Sequence, residues 1–170
     1  KPFDLEVDSV NGEILTSVEK EQRRALVEDV KSKGYQQVMD EVAYTWFNRF
    51  VALRFMEVNN YLPTRVRVFT NAENKLEPQI LEEALHLELD GLDMEKVYQY
   101  KNSNDKEGLY KYLLITQCYA LHEILPIMFP SKKQADYTIL LMPDNLLREG
   151  SVIEQMISLL PENNWKDGVE

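Results

Sequence analysis

Cysteine and long apolar runs are scarce in this sequence, and each scarcity excludes a class of protein. A single cysteine, Cys118, cannot form an internal disulfide, so a framework of disulfide bonds is excluded. No apolar run approaches the roughly 18 residues that a membrane-spanning helix needs, because lysine, glutamate or proline interrupts each candidate. The N-terminus lacks the basic, apolar and small-residue pattern of a secretory signal peptide. These features predict a cytoplasmic protein that has no membrane partner.

Positive charge is also in short supply. The 170 residues carry 19 lysines and arginines against 29 aspartates and glutamates, which gives a net charge of −10 at pH 7. Basic side chains that neutralise phosphates supply most of the non-specific affinity for nucleic acid, so this balance disfavours binding by bulk attraction. A contact with DNA would have to come from a local basic patch that works against the field of the whole chain.

The motifs of common active sites are missing as well. A pocket for a nucleotide or for S-adenosylmethionine in an α/β enzyme needs a glycine-rich turn after a strand, and the six glycines here never fall two apart. A P-loop, a GxSxG turn and an HExxH helix are not found either. We therefore predict no catalytic, cofactor-binding or metal-binding residue within this sequence.

Cys118 and His122 have a spacing that is compatible with metal binding or with activation of a thiolate. They lie four residues apart on a predicted helix, but a metal ion would need a third or fourth ligand. A buried free cysteine usually behaves as a small apolar side chain, and we favour that interpretation. His86 has no cysteine or histidine partner at ligand spacing, which favours a packed or surface imidazole.

The strongest positive feature is an aromatic segment within residues 40–68 that predicts a central helix. Two rows of apolar side chains follow a helical period and cover more than half of the circumference, which predicts a helix buried among other elements. The first row contains Val42, Trp46, Phe50 and Leu53, and the second contains Ala43, Phe47, Val51 and Val58. Asn59 and Asn60 can adopt the left-handed conformation that ends a helix, and Pro63 prevents its resumption.

Arg54 and Glu57 interrupt this apolar surface. They lie three residues apart and are therefore neighbours on one face of the helix. A buried charge without a partner is strongly destabilising, so each of the two side chains needs the other or a third group. We predict a structural buried ion pair, and a contact with a ligand or a partner protein is the alternative.

Shorter patterns predict the remaining elements. Thr16 and Glu19 have the spacing of a capping box, which predicts a helix from about Ser17 to Lys33 that ends at Gly34. A short element at residues 35–39 could run straight into the central helix. Further helical segments are expected at residues 78–89, 93–100, 109–125 and 152–160, with a mobile polar loop at 101–107. Residues 136–142 fit either a short strand or a helical turn.

Together these patterns predict a mainly α protein, an irregular multi-helix bundle with at most a small β element. Residues 1–15 mix polar and scattered apolar side chains, so we expect a flexible N-terminal arm. Residues 16–161 are expected to form a single helical domain, and residues 162–170 to begin a linker. The chain starts at Lys1 rather than at methionine, from which we expect a piece of a longer protein.

Residues 64–69 alternate between apolar and charged side chains, which predicts a short strand or an extended loop across the central helix. Val66 and Val68 would face inward, and Arg65 and Arg67 would point together to the outer side. With Tyr61 nearby, the two arginines are the candidate contact with DNA or a partner protein. Two solvated or salt-bridged arginines are the simpler alternative.

The run from Gly34 to Val68, GYQQVMDEVAYTWFNRFVALRFMEVNNYLPTRVRV, resembles the N-terminal region of the PglX family. These proteins are the adenine-specific DNA methyltransferases of type 1 BREX (bacteriophage exclusion) systems. Residues 107–129, residues 136–152 (DYTILLMPDNLLREGSV) and the closing PENNW extend the resemblance over most of the chain, in the order of the family.

The resemblance implies that the full-length protein transfers a methyl group from S-adenosylmethionine to adenine in host DNA, within an anti-phage defence system. The Asn-Pro-Pro-Tyr motif that performs this chemistry in the family is missing from the sequence. Residues 59–63, NNYLP, contain similar residues in a different order. We therefore carry over no catalytic and no cofactor residue, and expect the catalytic domain to follow the predicted linker.

Three functions remain open from the sequence. The first is a non-catalytic N-terminal helical domain that supports the catalytic domain, DNA binding or contacts with other BREX proteins. The second is an acidic helical module that binds a basic protein surface and has no DNA role, as the net charge allows. An autonomous enzyme is the third possibility, and the missing motifs argue against it.

Overall fold

The computed structural model describes residues 7–10 and 12–168, and within them the chain is mainly helical. The helices are α1 (Ser17–Lys33), α2 (Tyr35–Val58), α3 (Gln79–Glu82), α4 (Met94–Asn102), α5 (Lys106–Leu121) and α6 (Val152–Leu159), with short 3₁₀-helices at Tyr137–Leu141 and Glu162–Trp165. Two strands, β1 (Ser9–Val10) and β2 (Glu13–Ile14), form an antiparallel hairpin. The prediction of a mainly α fold with a small β element is confirmed.

Parts of two predicted segments lie outside the described residues. Residues 1–6 and 11 belong to the predicted N-terminal arm, and residues 169–170 belong to the predicted linker. In the described part of the chain, no helix combines the length and the apolar character that crossing a membrane requires.

The described chain divides into two compact units. The first contains the residues up to Phe47 together with Pro130–Met142, and the second contains Asn48–Phe129 together with the residues from Pro143 onward. Helix α2 contributes residues 35–47 to the first unit and residues 48–58 to the second.

Helix α1 and the 3₁₀-helix Tyr137–Leu141 pack together in the first unit. The hydroxyl of Tyr137 donates a hydrogen bond of 2.6 Å to the carboxylate of Asp29 on α1. The indole N–H of Trp46, whose ring is buried, donates a bond of 2.7 Å to the carbonyl of Thr138. Both contacts explain why the ambiguous segment at 136–142 forms a helical turn, because its backbone and side chains are held from two helices.

In the second unit, α5 packs against α3 and α4. Its buried side chains include Leu109, Tyr110, Leu113, Leu114, Cys118 and Leu121. Phe50 of α2 meets Phe69 edge to face, with ring centroids 5.9 Å apart and an angle of 81° between the ring planes. Such an aromatic pair contributes about 0.5–1.5 kcal/mol beyond the area that it buries.

The capping box predicted for the first helix is confirmed. The backbone N–H of Glu19 donates to the Thr16 hydroxyl, and the Thr16 N–H donates in return to the Glu19 carboxylate at 2.7 Å. Helix α1 ends at Lys33 and is followed by Gly34, which has a φ of 89°. A side chain at that φ would be strained, so glycine permits the immediate start of α2 at Tyr35.

The first apolar row of the central helix is buried as predicted, and the second is only partly so. Trp46 and Phe50 in the first row are 1% and 2% exposed. In the second row Ala43 is exposed and Phe47 is 55% exposed. The predicted arc of more than half the circumference is therefore too wide at the N-terminal half of α2, because periodicity identifies apolar positions but does not count the elements that cover them.

Three predicted boundaries are wrong. Helix α3 stops at Glu82 rather than near Leu89, because the chain tightens into turns in which the N–H of His86 bonds the carbonyl of Glu83. His86 therefore lies in a turn and not on a helix. Helix α5 ends at Leu121, four residues earlier than predicted. The loop predicted at 101–107 shrinks to residues 103–105, since Asp105 caps the start of α5.

Candidate functional site at the end of the central helix

The C-terminus of α2 places the candidate contact residues on a sharply defined loop. Asn60 has a φ of 58°, its N–H bonds the carbonyl of Glu57, and the N–H of Tyr61 bonds the carbonyl of Met56 at 2.8 Å. This pair of bonds is the Schellman arrangement, which satisfies the last carbonyls of a helix and turns the chain away from its axis. The Tyr61 ring then lies against Phe55 with centroids 5.9 Å apart.

A buried ionic cluster, formed by Arg54 and Glu57, holds the loop in place. The Arg54 guanidinium and the Glu57 carboxylate lie 2.7 Å apart, and both side chains are fully buried. The other carboxylate oxygen of Glu57 accepts bonds of 2.8 Å from the backbone N–H groups of Val68 and Phe69. Glu57 therefore holds the backbone of the loop as well as the arginine.

Arg54 completes the cluster with side chains beyond Glu57. Its guanidinium also donates to the hydroxyl of Thr70 at 3.3 Å and to the side-chain carbonyl of Asn74. Burial raises the pKa of the Glu57 carboxyl above its usual value, although the Phe69 N–H and Arg54 oppose the shift. These hydrogen bonds link α2 to the loop, as a buried ion pair requires, and Nε of Arg54 is buried without a hydrogen-bond partner among the described residues.

Arg65 and Arg67 do not point together to the outer side, and residues 64–69 do not form a strand. Arg65 has a φ of 59°, which breaks the extended conformation that an alternating pattern requires. Its exposed side chain folds back so that Nη1 donates to the carbonyl of Asn60 at 2.6 Å. Val68 is fully buried, and Val66 is half-buried.

The Arg67 side chain turns into the protein, where it is 17% exposed. Its Nη1 donates to the hydroxyl of Thr70 at 2.8 Å and to the carbonyl of Asn71 at 3.3 Å. Its Nη2 donates to the carboxylate of Glu162 at 3.3 Å. Both arginines still line one open cavity of about 180 Å³, together with Glu57, Asn60 and Gln79.

The C-terminal segment 162–167 is fastened to the same loop. The side-chain N–H of Asn59 donates to the backbone carbonyl of Trp165 at 2.7 Å. The side-chain carbonyl of Asn59 accepts from the backbone N–H of Asp167, also at 2.7 Å. The Tyr61 hydroxyl donates to the Asp167 carboxylate at 2.8 Å. That bond raises the pKa of Tyr61 above its usual value. The sequence pattern did not identify this segment because its side chains are mostly polar.

The other polar residues considered from the sequence lie elsewhere. Burial raises the pKa of the Cys118 thiol to about 12, so the thiol is protonated at neutral pH and is a poor nucleophile. His122 Nδ1 lies 2.9 Å from the carbonyl of Phe129. Among the described residues, no group of three or more histidine, cysteine, aspartate or glutamate side chains could hold a metal ion.

Comparison with known proteins identifies relatives that are adenine-specific methyltransferases. The chain is 33% identical over 147 residues to the adenine-specific methyltransferase BrxX of Escherichia coli O9:H4 (strain HS). It is 32% identical over 178 residues to the adenine-specific methyltransferase PglX of Lacticaseibacillus casei (strain Zhang). No protein-family model matches the chain.

These similarities cover most of the chain and a small share of each relative. They include 85% and 95% of the chain, which spans only 12% and 14% of the length of BrxX and PglX. The resemblance to PglX predicted from the sequence is thus confirmed, and the chain matches a minor part of each of these two methyltransferases.

Proposed function

We propose that this chain is the non-catalytic N-terminal helical part of an adenine-specific DNA methyltransferase that marks host DNA in a BREX-type anti-phage system. The observation that carries the proposal is the similarity of most of the chain to about an eighth of two adenine-specific methyltransferases. In the full-length enzyme, S-adenosylmethionine would supply the methyl group, and the target adenine would have to leave the duplex.

The described residues do not fit a site for S-adenosylmethionine. A doubly wound α/β domain binds such cofactors at the carboxyl ends of parallel strands, where a glycine-rich turn allows close approach. The described part of the chain has only a hairpin of two-residue strands, and that hairpin is antiparallel. The methyl-transfer chemistry is therefore assigned to residues beyond this sequence.

The supporting role that we propose is a contact with the phosphate backbone of DNA through Tyr61, Arg65 and Arg67. Guanidinium groups match the geometry of phosphate oxygens, and a tyrosine hydroxyl can donate to the same group. The two arginines share a cavity, and Arg65 and Tyr61 are exposed. Because the net charge is −10, this local site would position DNA that is held mainly by other parts of the enzyme.

An acidic helical module that binds a basic protein surface, such as another BREX component, is the second candidate. The excess of ten negative charges supports it, because an acidic surface attracts basic partners over several ångströms. Under this alternative the two arginines would serve only to fix the loop to its neighbours.

Salt-dependent binding separates the two candidates. We would measure anisotropy of a labelled DNA duplex with the 170-residue chain from about 50 to about 200 mM salt. The double variant Arg65→Ala, Arg67→Ala should weaken binding and reduce the salt slope, by about 0.9 where the two arginines share one phosphate and by about 2 where they contact two. Binding to polylysine but not to the duplex would support the alternative and reject the DNA contact.

Two further variants serve as controls. Arg148→Ala removes one positive charge from an exposed position in the same unit, as Arg65→Ala does, and should leave the salt slope unchanged. Arg65→Ala alone breaks only the side-chain bond to Asn60 and serves if the double variant is unstable. A slope equal to that of wild type in both arginine variants would contradict the proposed contact.

The wider role is tested in the longer methyltransferase. We expect deletion of these 170 residues to weaken binding of DNA or of the other defence components. The isolated catalytic part should keep its ability to bind S-adenosylmethionine. Unchanged DNA binding, partner binding and methylation after the deletion would contradict a supporting role.

A further inference from the structure

The C-terminal segment carries two carboxylates to the candidate DNA contact. Glu162 reaches Nη2 of Arg67 at 3.3 Å, and Asp167 accepts the Tyr61 hydroxyl at 2.8 Å. Between them, Trp165 is 8% exposed and donates its indole N–H to the carbonyl of Leu160 at 3.2 Å. One short segment, residues 162–167, which we call the acidic strap, therefore occupies two of the three candidate contact residues.

The third residue is left without a carboxylate. Arg65 donates to the carbonyl of Asn60, and among the described residues no carboxylate forms an ion pair with it. Arg65 therefore has no carboxylate partner of its own in the cavity, which it shares with Arg67 and with the buried Glu57. The cavity volume of about 180 Å³ is several times the roughly 30 Å³ share of one water molecule, which leaves room for a phosphate group.

From this arrangement we infer that the cavity between Arg65 and Arg67 is a subsite for one backbone phosphate of DNA, and that the acidic strap is its internal competitor. The inference rests on the proposed DNA contact and adds a controlled site to it. Arg67 lines the cavity, and Glu162 occupies one of its donors, Nη2. Entry of the phosphate breaks the pair between Glu162 and Arg67, while the bonds of Asn59 to Trp165 and Asp167 keep the rest of the strap in place.

The contact between Glu162 and Arg67 is one that a phosphate could displace. The pair between Arg67 and Glu162 is a single bond of 3.3 Å between side chains that are 17% and 29% exposed, and such partly solvated pairs contribute little. The Arg67 side chain stays in position without it, because Nη1 is held by Thr70 and by the carbonyl of Asn71. A phosphate can thus replace the carboxylate without any movement of the arginine.

The first test is duplex binding by strap variants of the 170-residue chain. Glu162→Gln should tighten binding about three- to tenfold, because it removes the competing charge and leaves Arg67 free. Glu149→Gln removes the same charge from an exposed position in the same unit and should change affinity much less. Equal affinities for the two variants would overturn the inference.

The second test asks whether the gain depends on the arginine. In an Arg67→Ala background, Glu162→Gln should raise the affinity for the duplex no more than Glu149→Gln does, because Glu162 then has no arginine to pair with. An undiminished gain in that background would attribute the effect to general charge and overturn the inference.

The third test replaces the duplex with inorganic phosphate. Calorimetry of Glu162→Gln with phosphate alone should give no heat of binding, because a single phosphate lacks the rest of the DNA backbone. Binding of phosphate alone would mean a subsite for small anions rather than for DNA and would overturn the assignment.

The outcomes separate this inference from the proposed function. Duplex binding that requires Arg65 and Arg67 but is indifferent to Glu162 would retain the DNA contact and reject the competitor. If Arg65→Ala, Arg67→Ala leaves duplex binding by the longer methyltransferase unchanged, the DNA contact and the inference both fail.

Discussion

At the scale of single residues, Glu57 links the central helix to the loop that follows it. Its carboxylate joins Arg54 to the backbone N–H groups of Val68 and Phe69 in a fully buried setting. Removing it leaves the Arg54 charge and two backbone donors without their main acceptor. The loss therefore extends from the helix to the loop that carries the candidate contact.

We predict that Glu57→Ala lowers the free energy of unfolding by about 3–5 kcal/mol, the range found when one partner of a buried pair is removed. Urea denaturation would measure it. Glu73→Ala, an exposed carboxylate on the neighbouring turn, is the matched control and should stay within about 0.5 kcal/mol of wild type. A similar small effect for Glu57→Ala would mean that the cluster adds no stability.

Asp29 gives a prediction about pH. The bond from the Tyr137 hydroxyl is the largest effect on the Asp29 carboxyl; burial opposes it, Lys33 assists it, and together they lower the pKa below its ordinary value of 3.8. An acid whose pKa is lowered on folding stabilises the protein above the unfolded pKa. That contribution is lost as the pH falls through the folded pKa.

Tyr137→Phe should therefore lower the melting temperature at pH 7. The difference from wild type should narrow as the pH falls below 3.8 and through the still lower pKa of Asp29 in the folded wild type, because the carboxyl is then protonated in both proteins. Thermal unfolding followed by circular dichroism across this range measures both effects. A difference that grows toward low pH would contradict the assigned bond.

At the scale of elements, the end of α2 depends on one left-handed residue. Asn60 has a φ of 58°, a conformation that glycine adopts freely, asparagine tolerates and β-branched residues resist. Asn60→Gly should thus leave the free energy of unfolding within about 1 kcal/mol of wild type, and Asn60→Val should lower it by about 1–2 kcal/mol more. Urea denaturation of both variants tests this order, and equal effects would show that the backbone conformation is not the constraint.

Helix α2 also shows what sequence periodicity can and cannot predict. Apolar spacing placed Trp46 and Phe50 in the core, and the two asparagines marked the end of the helix. The same spacing could not show that Phe47 is 55% exposed, because that depends on which elements pack nearby. The local capping signal at Thr16 was reliable since its hydrogen bonds lie within one turn.

The candidate site illustrates the limit more clearly. The spacing of Arg54 and Glu57 on one helix face brings them within 2.7 Å, as a local argument can anticipate. The partners of Arg67 could not be foreseen in the same way, since Glu162 lies 95 residues further along the chain. The alternation at 64–69 was misleading because the left-handed φ of Arg65 leaves no trace in a polarity pattern.

At the scale of the whole molecule, both the net charge and the short length relative to its relatives argue against a chain that binds DNA by itself. A net charge of −10 is unsuited to gripping DNA alone, and the chain spans 12% and 14% of two adenine-specific methyltransferases. A local pair of arginines on an acidic body is suited to positioning DNA that another part of the protein holds. The acidic strap would add control to that positioning.

The same scale yields a prediction about the cofactor. The isolated 170-residue chain should give no heat of binding when S-adenosylmethionine is added in a calorimeter, because a glycine-rich turn is missing and the described strands form only an antiparallel hairpin. The longer methyltransferase is the positive control and should bind. Micromolar binding by the isolated chain, about 8 kcal/mol of affinity, would place a cofactor site within these residues and overturn the assignment of chemistry to the rest of the enzyme.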